Sequence, residues 1–391
     1  YRDSQILSGL VGSEMCIRDS CMGELRSGRV IGTKKRAFHF VVPGSLDQRT
    51  GGDIYGARMV SELRGAGFSI DVHSIGGTFP VVDSVAREAL DRILADLDDG
   101  ARVAIDGLAS GGLPDVISKH APRLAIVALV HHPLADETGH TESQRDHFFL
   151  SEKETLSQVR GVLVTSSFTA NRLVDFDVLS ERIRVVDPGT APAPLADGPL
   201  DNDPPRLVCV GSLTPRKGQD VLVESLGRLR ELEWRCVCAG SLSRDERFAR
   251  MVSDEIDRRG LGGRIELVGE LEPAALEEVY RTASLFVLPS HYEGYGMAYA
   301  EALARGIPVV GTTGGAIPYT VPGFASVLVP PGDAGALTGA LEGLLVAPDR
   351  REVLAEGARI HRDSLPTWPE QATQFHEAML RLAGSDGTLH V

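Results

Sequence analysis

The sequence predicts an α/β protein of two doubly wound domains facing each other across a cleft. Short β-rich runs alternate with amphipathic stretches from residue 37 onwards, the rhythm of βαβ units around a parallel sheet. The alternation breaks at "TAPAPLADGPLDNDPP" (190–205), which has no periodic apolar face and reads as an interdomain linker. At 391 residues the chain also exceeds the roughly 150 that one domain tends to hold.

In the first half, "AFHFVVPG", "FSIDVHSI", "RVAIDGL", "RLAIVALVHHP", "GVLVTSS" and "IRVVDPG" read as strands. Between them "GGDIYGARMVSELRGAG", "VVDSVAREALDRILADL", "TESQRDHFFLSEKETLSQV" and "FTANRLVDF" read as helices. The second half repeats the pattern with strands "RLVCVGSL", "WRCVCAG", "RIELVGE", "SLFVLPS", "IPVVGT" and "ASVLVPP". Its helices are "GQDVLVESLGRLREL", "DERFARMVSDEIDRRG", "PAALEEVYRTA", "MAYAEALARG" and "DAGALTGALEGLLV". The tail "DSLPTWPEQATQFHEAMLRLAG" holds one more helix, placed to pack back across the hinge. The expected division is 22–195, 196–365 and a returning helix in 366–391.

Residues 1–21 stand apart, with neither helical nor strand period and without the cationic start and apolar core of an export signal. Met15–Ser20, "MCIRDS", resembles one translated frame of a transposon end used in sequencing libraries. The segment is therefore expected to be adapter-derived, with the native start near Met22 and Ile6–Leu10 packing against nothing.

A formal charge of −14 argues against nucleic acid as a partner, since phosphate contacts need a dense Lys/Arg face. Apolar runs such as "RLAIVALV" and "SLFVLP" fall far short of the roughly 20 residues that span a bilayer. Cys209, Cys236 and Cys238 lie in strand-like segments without C-x-x-C spacing and read as buried thiols of a reducing, cytoplasmic compartment rather than a metal site.

Open α/β sheets bind ligands beyond the carboxyl ends of their strands. One such end is "FVLPSHYEGYGMAYAEALARGIPVVGT" (286–312), where a strand stops at Pro289, a loop carries Glu293, Gly294, Tyr295 and Gly296, and a helix starts near Met297 and carries Glu301. A helix N-terminus with glycines before it suits a diphosphate, and carboxylates suit sugar hydroxyls. Taken alone, Glu293 is equally a turn residue and Glu301 an exposed helical one.

These residues resemble the donor-site element of the retaining family 4 glycosyltransferases (glycosyl transferases group 1), whose glycosyltransferase-B fold is two facing Rossmann-like domains. The similarity extends along the chain: "TGGDIYGARMVSELRGAG" resembles the family's N-terminal glycine loop and helix, "LVHHP" its central strand end, "VVDPGT" the segment before the hinge, and "VGSLTPRKGQDVLVESL" the first βα unit of the donor domain. "PPGD" (330–333) and Trp368 also fit.

The resemblance implies roles. Glu301 would accept the nucleotide's ribose hydroxyls, Glu293 would contact the transferred sugar, and the backbone of Gly294, Tyr295, Gly296 and Met297 would hold sugar and phosphate. Lys217 and Arg216 would neutralise the leaving diphosphate. The family often has Arg directly after the glycine of this strand, but here Gly211 is followed by Ser212, which leaves open whether Arg216 takes that cation's place. Gly51 and Gly52 would approach the diphosphate from the first domain. His132, slightly ahead of His131, would point toward the sugar, with Asp106 a weaker candidate. Tyr319 stands where relatives commonly carry Glu.

Three patterns are discounted. "DLD" (96–98) looks like a metal motif but ends an amphipathic helix; "GYGMAY" lacks the last glycine of a dinucleotide fingerprint; "SSFTA" is no nucleophile elbow. The resemblance implies a retaining glycosyltransferase with no cofactor and no essential metal, taking a UDP- or GDP-linked sugar. The acceptor is unknown: glycan, lipid-linked or small molecule, with selection in loops such as "GGTFP" and "LADETGHTESQRD". Alternatives are a non-catalytic nucleotide-sugar sensor and a synthase of a small soluble glycoside. Peripheral contact with the inner membrane face would rest on the basic cluster in "GTKKRAF" (32–38).

Overall fold

Two six-stranded parallel sheets form the framework. The first comprises β1 (Phe38–Pro43), β2 (Ile70–Ile75), β3 (Arg102–Asp106), β4 (Ala125–Val130), β5 (Gly161–Val164) and β6 (Ile183–Val185), in the order β2-β1-β3-β4-β5-β6. The second comprises β7 (Arg206–Val210), β8 (Arg235–Ala239), β9 (Ile265–Gly269), β10 (Leu285–Val287), β11 (Val309–Thr312) and β12 (Ser326–Val329), in the order β12-β11-β10-β7-β8-β9. The computed structural model describes residues 38–46, 50–199 and 203–384. Residues 1–21, Ile6–Leu10 and all of the "GTKKRAF" cluster but Phe38 lie outside them.

The helices of the first half are α1 (Gly51–Gly65), α2 (Ser84–Asp96), α3 (Gly107–Ser110), α4 (Pro114–His120), α5 (Glu142–Gln158) and α6 (Ser167–Arg172). Those of the second are α7 (Gln219–Gly227), α8 (Glu246–Arg258), α9 (Pro273–Arg281), α10 (Met297–Ala304), α11 (Ile317–Thr320), α12 (Ala334–Leu345), α13 (Pro348–Arg362) and α14 (Trp368–Ala383). Because helices cover both faces of each sheet, central strands are apolar throughout, and every residue of β4, "AIVALV", is buried.

Sequence reading missed α4 and α13. Each begins with Pro in its first turn, where the absent N–H costs nothing, so the residue that looked like a breaker is a helix start. In α13 the exposed Val353 and Ile360 also blur a buried stripe made of Leu354, Ala355, Gly357 and Ala358. The helix expected over 218–232 ends at Gly227, and the Trp234 indole N–H, donating to the Leu229 carbonyl (2.8 Å), holds the turn that follows.

Trp234, Leu285, Phe286, Tyr299 and Leu337 belong to the core around the second sheet. The first sheet has a cluster on each face. One, with Val41, Ile105, Ile126 and Phe148, lies under α2, α4 and α5. The other joins Phe40, Tyr55, Met59 and Leu129 to Trp368, Phe375 and Met379 of α14. The chain thus returns to its first sheet, and the two crossings run side by side: Thr190 N–H donates to the Pro366 carbonyl (2.7 Å) and Arg362 to that of Ala193 (2.6 Å). Met297 of the second half packs against this first-sheet cluster.

Both strand orders reverse direction once, between β1 and β3 and between β7 and β10. At such a switch point the connections leave on opposite sides and open a crevice at the carboxyl edge. The loops after β7 and β10 carry Ser212, Arg216, Lys217 and Glu293; those after β1 and β3 carry Gly51, Gly52 and the residues that follow Asp106.

Candidate active site

At the β7/β10 crevice three charged side chains converge. Lys217 Nζ donates to Glu293 Oε1 at 2.7 Å, Arg216 Nη1 reaches Glu293 Oε2 at 3.2 Å and the Tyr292 carbonyl at 2.9 Å, and the Ser290 hydroxyl donates to Glu293 Oε1 at 2.6 Å. Glu293 is 5% exposed. Burial alone would push its carboxyl up, but Lys217 and Arg216 outweigh that and hold it at about 2. Both carboxylate oxygens are therefore occupied by protein groups. Burial, opposed by Glu293, leaves the Lys217 ammonium below its ordinary value. Gly211 lies against the Lys217 stem, since a Cβ there would sit 3.4 Å from its Cδ. The carbonyls of Gly211 and Ser212 accept from Gln219 Nε2 (3.3 and 3.2 Å), which fixes the loop.

Beyond Glu293 the chain enters α10 through Gly296, whose φ of 97° is open to glycine at little cost. The carbonyl of Tyr295 accepts from the Thr320 hydroxyl (2.6 Å), and that of Glu293 from Ala316 N–H (2.8 Å), so the loop after β11 braces this one. Glu301, the fifth residue of α10, accepts from the Tyr280 hydroxyl through Oε2 at 2.9 Å. Its carboxyl is raised by burial, against the pull of Tyr280, Arg305 and, from α1 of the first domain, Arg58.

The first domain closes over these loops. Gly294 packs so tightly that a Cβ would lie 2.3 Å from the His131 carbonyl oxygen, an approach only glycine permits. The two histidines ending β4 part company. His131 Nε2 lies 3.2 Å from Asp106 Oδ2, its ring is edge-on to Tyr55 (5.3 Å), and a Cβ on Gly52 would come within 3.4 Å of it, whereas one on Gly51 would meet open space. Asp106 also caps α3 through Leu108 N–H (2.8 Å). His132 turns to the second domain, with its ring 5.6 Å from that of Tyr292 and its Nε2 3.2 Å from Glu137 Oε2.

Sequence reasoning missed Glu137, Asp136 and Tyr292. The segment "LADETGHTESQRD" was expected to be an acceptor loop, yet its first residues face the second domain. Glu137 Oε1 lies 3.2 Å from Arg216 Nε, and Tyr292 OH stands 3.5 Å from Asp136, which holds Arg172 through two bonds of 2.8 Å. Burial raises the Glu137 carboxyl, but His132 and Arg216 win and hold it at about 2. The available clue was acidic residues just after a strand-end histidine pair. Tyr319 is exposed and edge-on to Phe168 of the first domain (5.8 Å). "DLD" lies at the end of α2, the helix that leads into β3, at the sheet edge opposite the crevice. Cys209, Cys236 and Cys238 are buried free thiols. Among the described residues no helix is long and apolar enough to cross a membrane.

Two half-buried cations, a glycine-lined loop and a helix N-terminus thus lie together at one crevice, the features that suit an anion. Residues 195–361 match the family described as Glycosyl transferases group 1. The chain is 28% identical over 233 residues to the D-inositol 3-phosphate glycosyltransferase of Gordonia bronchialis (55% of this chain, 51% of the relative). It is 27% identical over 280 residues to the MMP alpha-(1->4)-mannosyltransferase of Mycolicibacterium hassiacum (66% of each). The match thus spans about half the length of the first relative and about two thirds of the second. In fold the chain is similar to sucrose-phosphate synthase from Thermosynechococcus elongatus (TM-score 0.75, 21% identity, 89% of this chain and 99% of that one). It is also similar to Anabaena HepE in complex with UDP and glucose (TM-score 0.69, 15% identity, 88% and 99%).

Proposed function

We propose that this chain, whose residues 195–361 match the glycosyl transferases group 1 family and whose fold is of the glycosyltransferase-B type, is a member of that family and a retaining, metal-independent glycosyltransferase. It moves a sugar from a UDP- or GDP-linked donor to an acceptor hydroxyl. The observation that carries this is the pair of half-buried cations, Lys217 and Arg216, gathered on the buried Glu293 at the switch point of the second sheet. Negative charge grows on the diphosphate as its bond to the anomeric carbon breaks, and pre-placed cations stabilise that charge more than they stabilise the intact donor.

Arg216 supplies the cation that Ser212 does not, which weighs against a non-catalytic sensor. Glu301 accepts the ribose hydroxyls, the backbone from Gly294 to Met297 holds phosphate and sugar, and Gly51 and Gly52 approach from the first domain. Glu293, held by two cations, is a poor nucleophile; it meets the transferred sugar as a hydrogen-bond acceptor once the donor draws a cation away. A donor phosphate oxygen then acts as the base for same-face attack, and domain closure limits hydrolysis. The relative named for D-inositol 3-phosphate favours a polyol or sugar hydroxyl as acceptor, and a small soluble glycoside as product is the second reading. The enzyme works in the cytoplasm, with peripheral membrane contact if its acceptor is lipid-linked.

The test is a panel of UDP and GDP sugars, scored by thermal shift and by nucleotide release, on the native chain and its Glu301→Ala variant. Stabilisation and release by one donor, both lost in the variant, are expected. Binding by none of the donors would overturn the proposal, and binding without release under varied polyol, glycan and lipid-linked acceptors would favour the sensor.

A further inference from the structure

The two cations are held differently. Lys217 sits 2.7 Å from Glu293, an ordinary length for a charge-assisted bond, and its stem is packed on Gly211. Arg216 is spread between two carboxylates at 3.2 Å, Glu293 through Nη1 and Glu137 through Nε. Those lengths exceed the usual charge-assisted range of roughly 2.7–2.9 Å, so Arg216 is the cation more easily exchanged. The two carboxylates also come from different domains, Glu293 following β10 and Glu137 following β4. They surround one guanidinium much as the oxygens of a diphosphate would.

Glu137 has a second partner set that does not involve Arg216. Its Oε1 accepts from Thr138 N–H (2.9 Å) and its Oε2 faces His132 Nε2 (3.2 Å). Loss of Arg216 would therefore leave this carboxylate anchored and still oriented on the histidine. It would also leave His132 with a fixed partner on the first domain while its ring stays beside Tyr292 of the second.

We propose that Glu137 is a positioning residue that stands in for the donor's diphosphate: in the empty protein it holds Arg216 across the cleft, and on donor binding it yields Arg216 while keeping His132 oriented. This rests on the nucleotide-sugar reading above. The ion pair keeps Arg216 charged and aimed before the donor arrives, and makes donor binding exchange one anion for another rather than bury a bare phosphate.

The experiment is calorimetric titration of the full chain with UDP, GDP and inorganic pyrophosphate, beside steady-state kinetics with whichever nucleotide sugar turns over, for the native protein, Glu137→Gln, Arg216→Gln and the double variant. Glu137→Gln should bind the nucleoside diphosphate about tenfold more tightly, about 1.4 kcal/mol. Its donor KM should fall with kcat, because the histidine's partner loses its charge while the cation is freed. In the Arg216→Gln background the same change should leave affinity unaltered, an outcome that a merely structural role would not produce. Glu137→Asp, which withdraws the charge from Arg216 by one methylene, should tighten binding less and guards against loss of fold in the first variant. Unchanged or weaker binding in Glu137→Gln, or equal tightening without Arg216, would overturn the assignment alone. Failure of the native chain to bind UDP, GDP or pyrophosphate would overturn the donor reading and this proposal together.

Discussion

Replacing Glu293 by Gln tests whether the ion cluster at the β7/β10 crevice holds the second domain together. The carboxyl lies at about 2 in the folded protein against an ordinary 4.5. That difference of about 2.5 pH units is worth about 3 kcal/mol at about 1.36 kcal/mol per unit. The folded value is the lower one, so the stabilisation is complete above pH 4.5 and is lost as pH falls toward 2. At pH 3 the same linkage leaves about 1.4 kcal/mol. The amide also leaves Lys217 and Arg216 without their shared counter-charge, a loss that costs about 3–5 kcal/mol when a buried pair is broken outright. Lys217, already lowered by burial, can relieve part of this by shedding its proton. Urea unfolding followed by Trp234 fluorescence is the assay, since Trp234 is buried in the second-domain core; a Trp368→Phe background removes the signal from the first. Glu293→Gln should cost about 3 kcal/mol at pH 7 and about half that at pH 3. A cost under about 1 kcal/mol at pH 7, or one that does not shrink in acid, would refute the ion-paired geometry.

Lys217→Ala should lower kcat by about 10²–10³, the loss typical of one removed charge-stabilising donor, and donor turnover under saturating conditions would show it. Gly294→Ala puts a methyl against the His131 carbonyl, so closure should fail and kcat/KM should drop about a hundredfold while the urea midpoint read from Trp234 fluorescence stays near that of the native chain; unchanged kcat/KM would refute the close approach. Glu152 is buried, accepts from Ala135 N–H (3.2 Å) and has its carboxyl raised by burial to about 8. Its folded value is the higher one, so stability is lost as pH rises from 4.5 to 8. Glu152→Gln should then stabilise the chain by about 4 kcal/mol at pH 8 and by under about 1 kcal/mol at pH 5, read from urea midpoints; equal effects at both would refute it.

The sequence by itself determined what is local. Alternation of apolar runs, the Pro-rich break and the strand–loop–helix from Phe286 to Glu301 are each written within a few consecutive residues, because solvent partition at a period of two or 3.6 needs no distant partner. Arg216 and Lys217, just beyond β7, were singled out only by the resemblance of "VGSLTPRKGQDVLVESL" to the family's first donor-domain βα unit. Tertiary structure decided which of these meet. Glu137 finds Arg216, and Gly294 finds the His131 carbonyl, only because two chain crossings bring one sheet's carboxyl edge against the other's. Trp368, Phe375 and Met379 complete the first sheet's core for the same reason. Glu293 shows the division most clearly: its position at a crevice was legible, but its engagement by Lys217, Arg216 and Ser290 was not. A side chain's neighbours in a folded chain are set by long-range packing, and that packing leaves no period in the sequence.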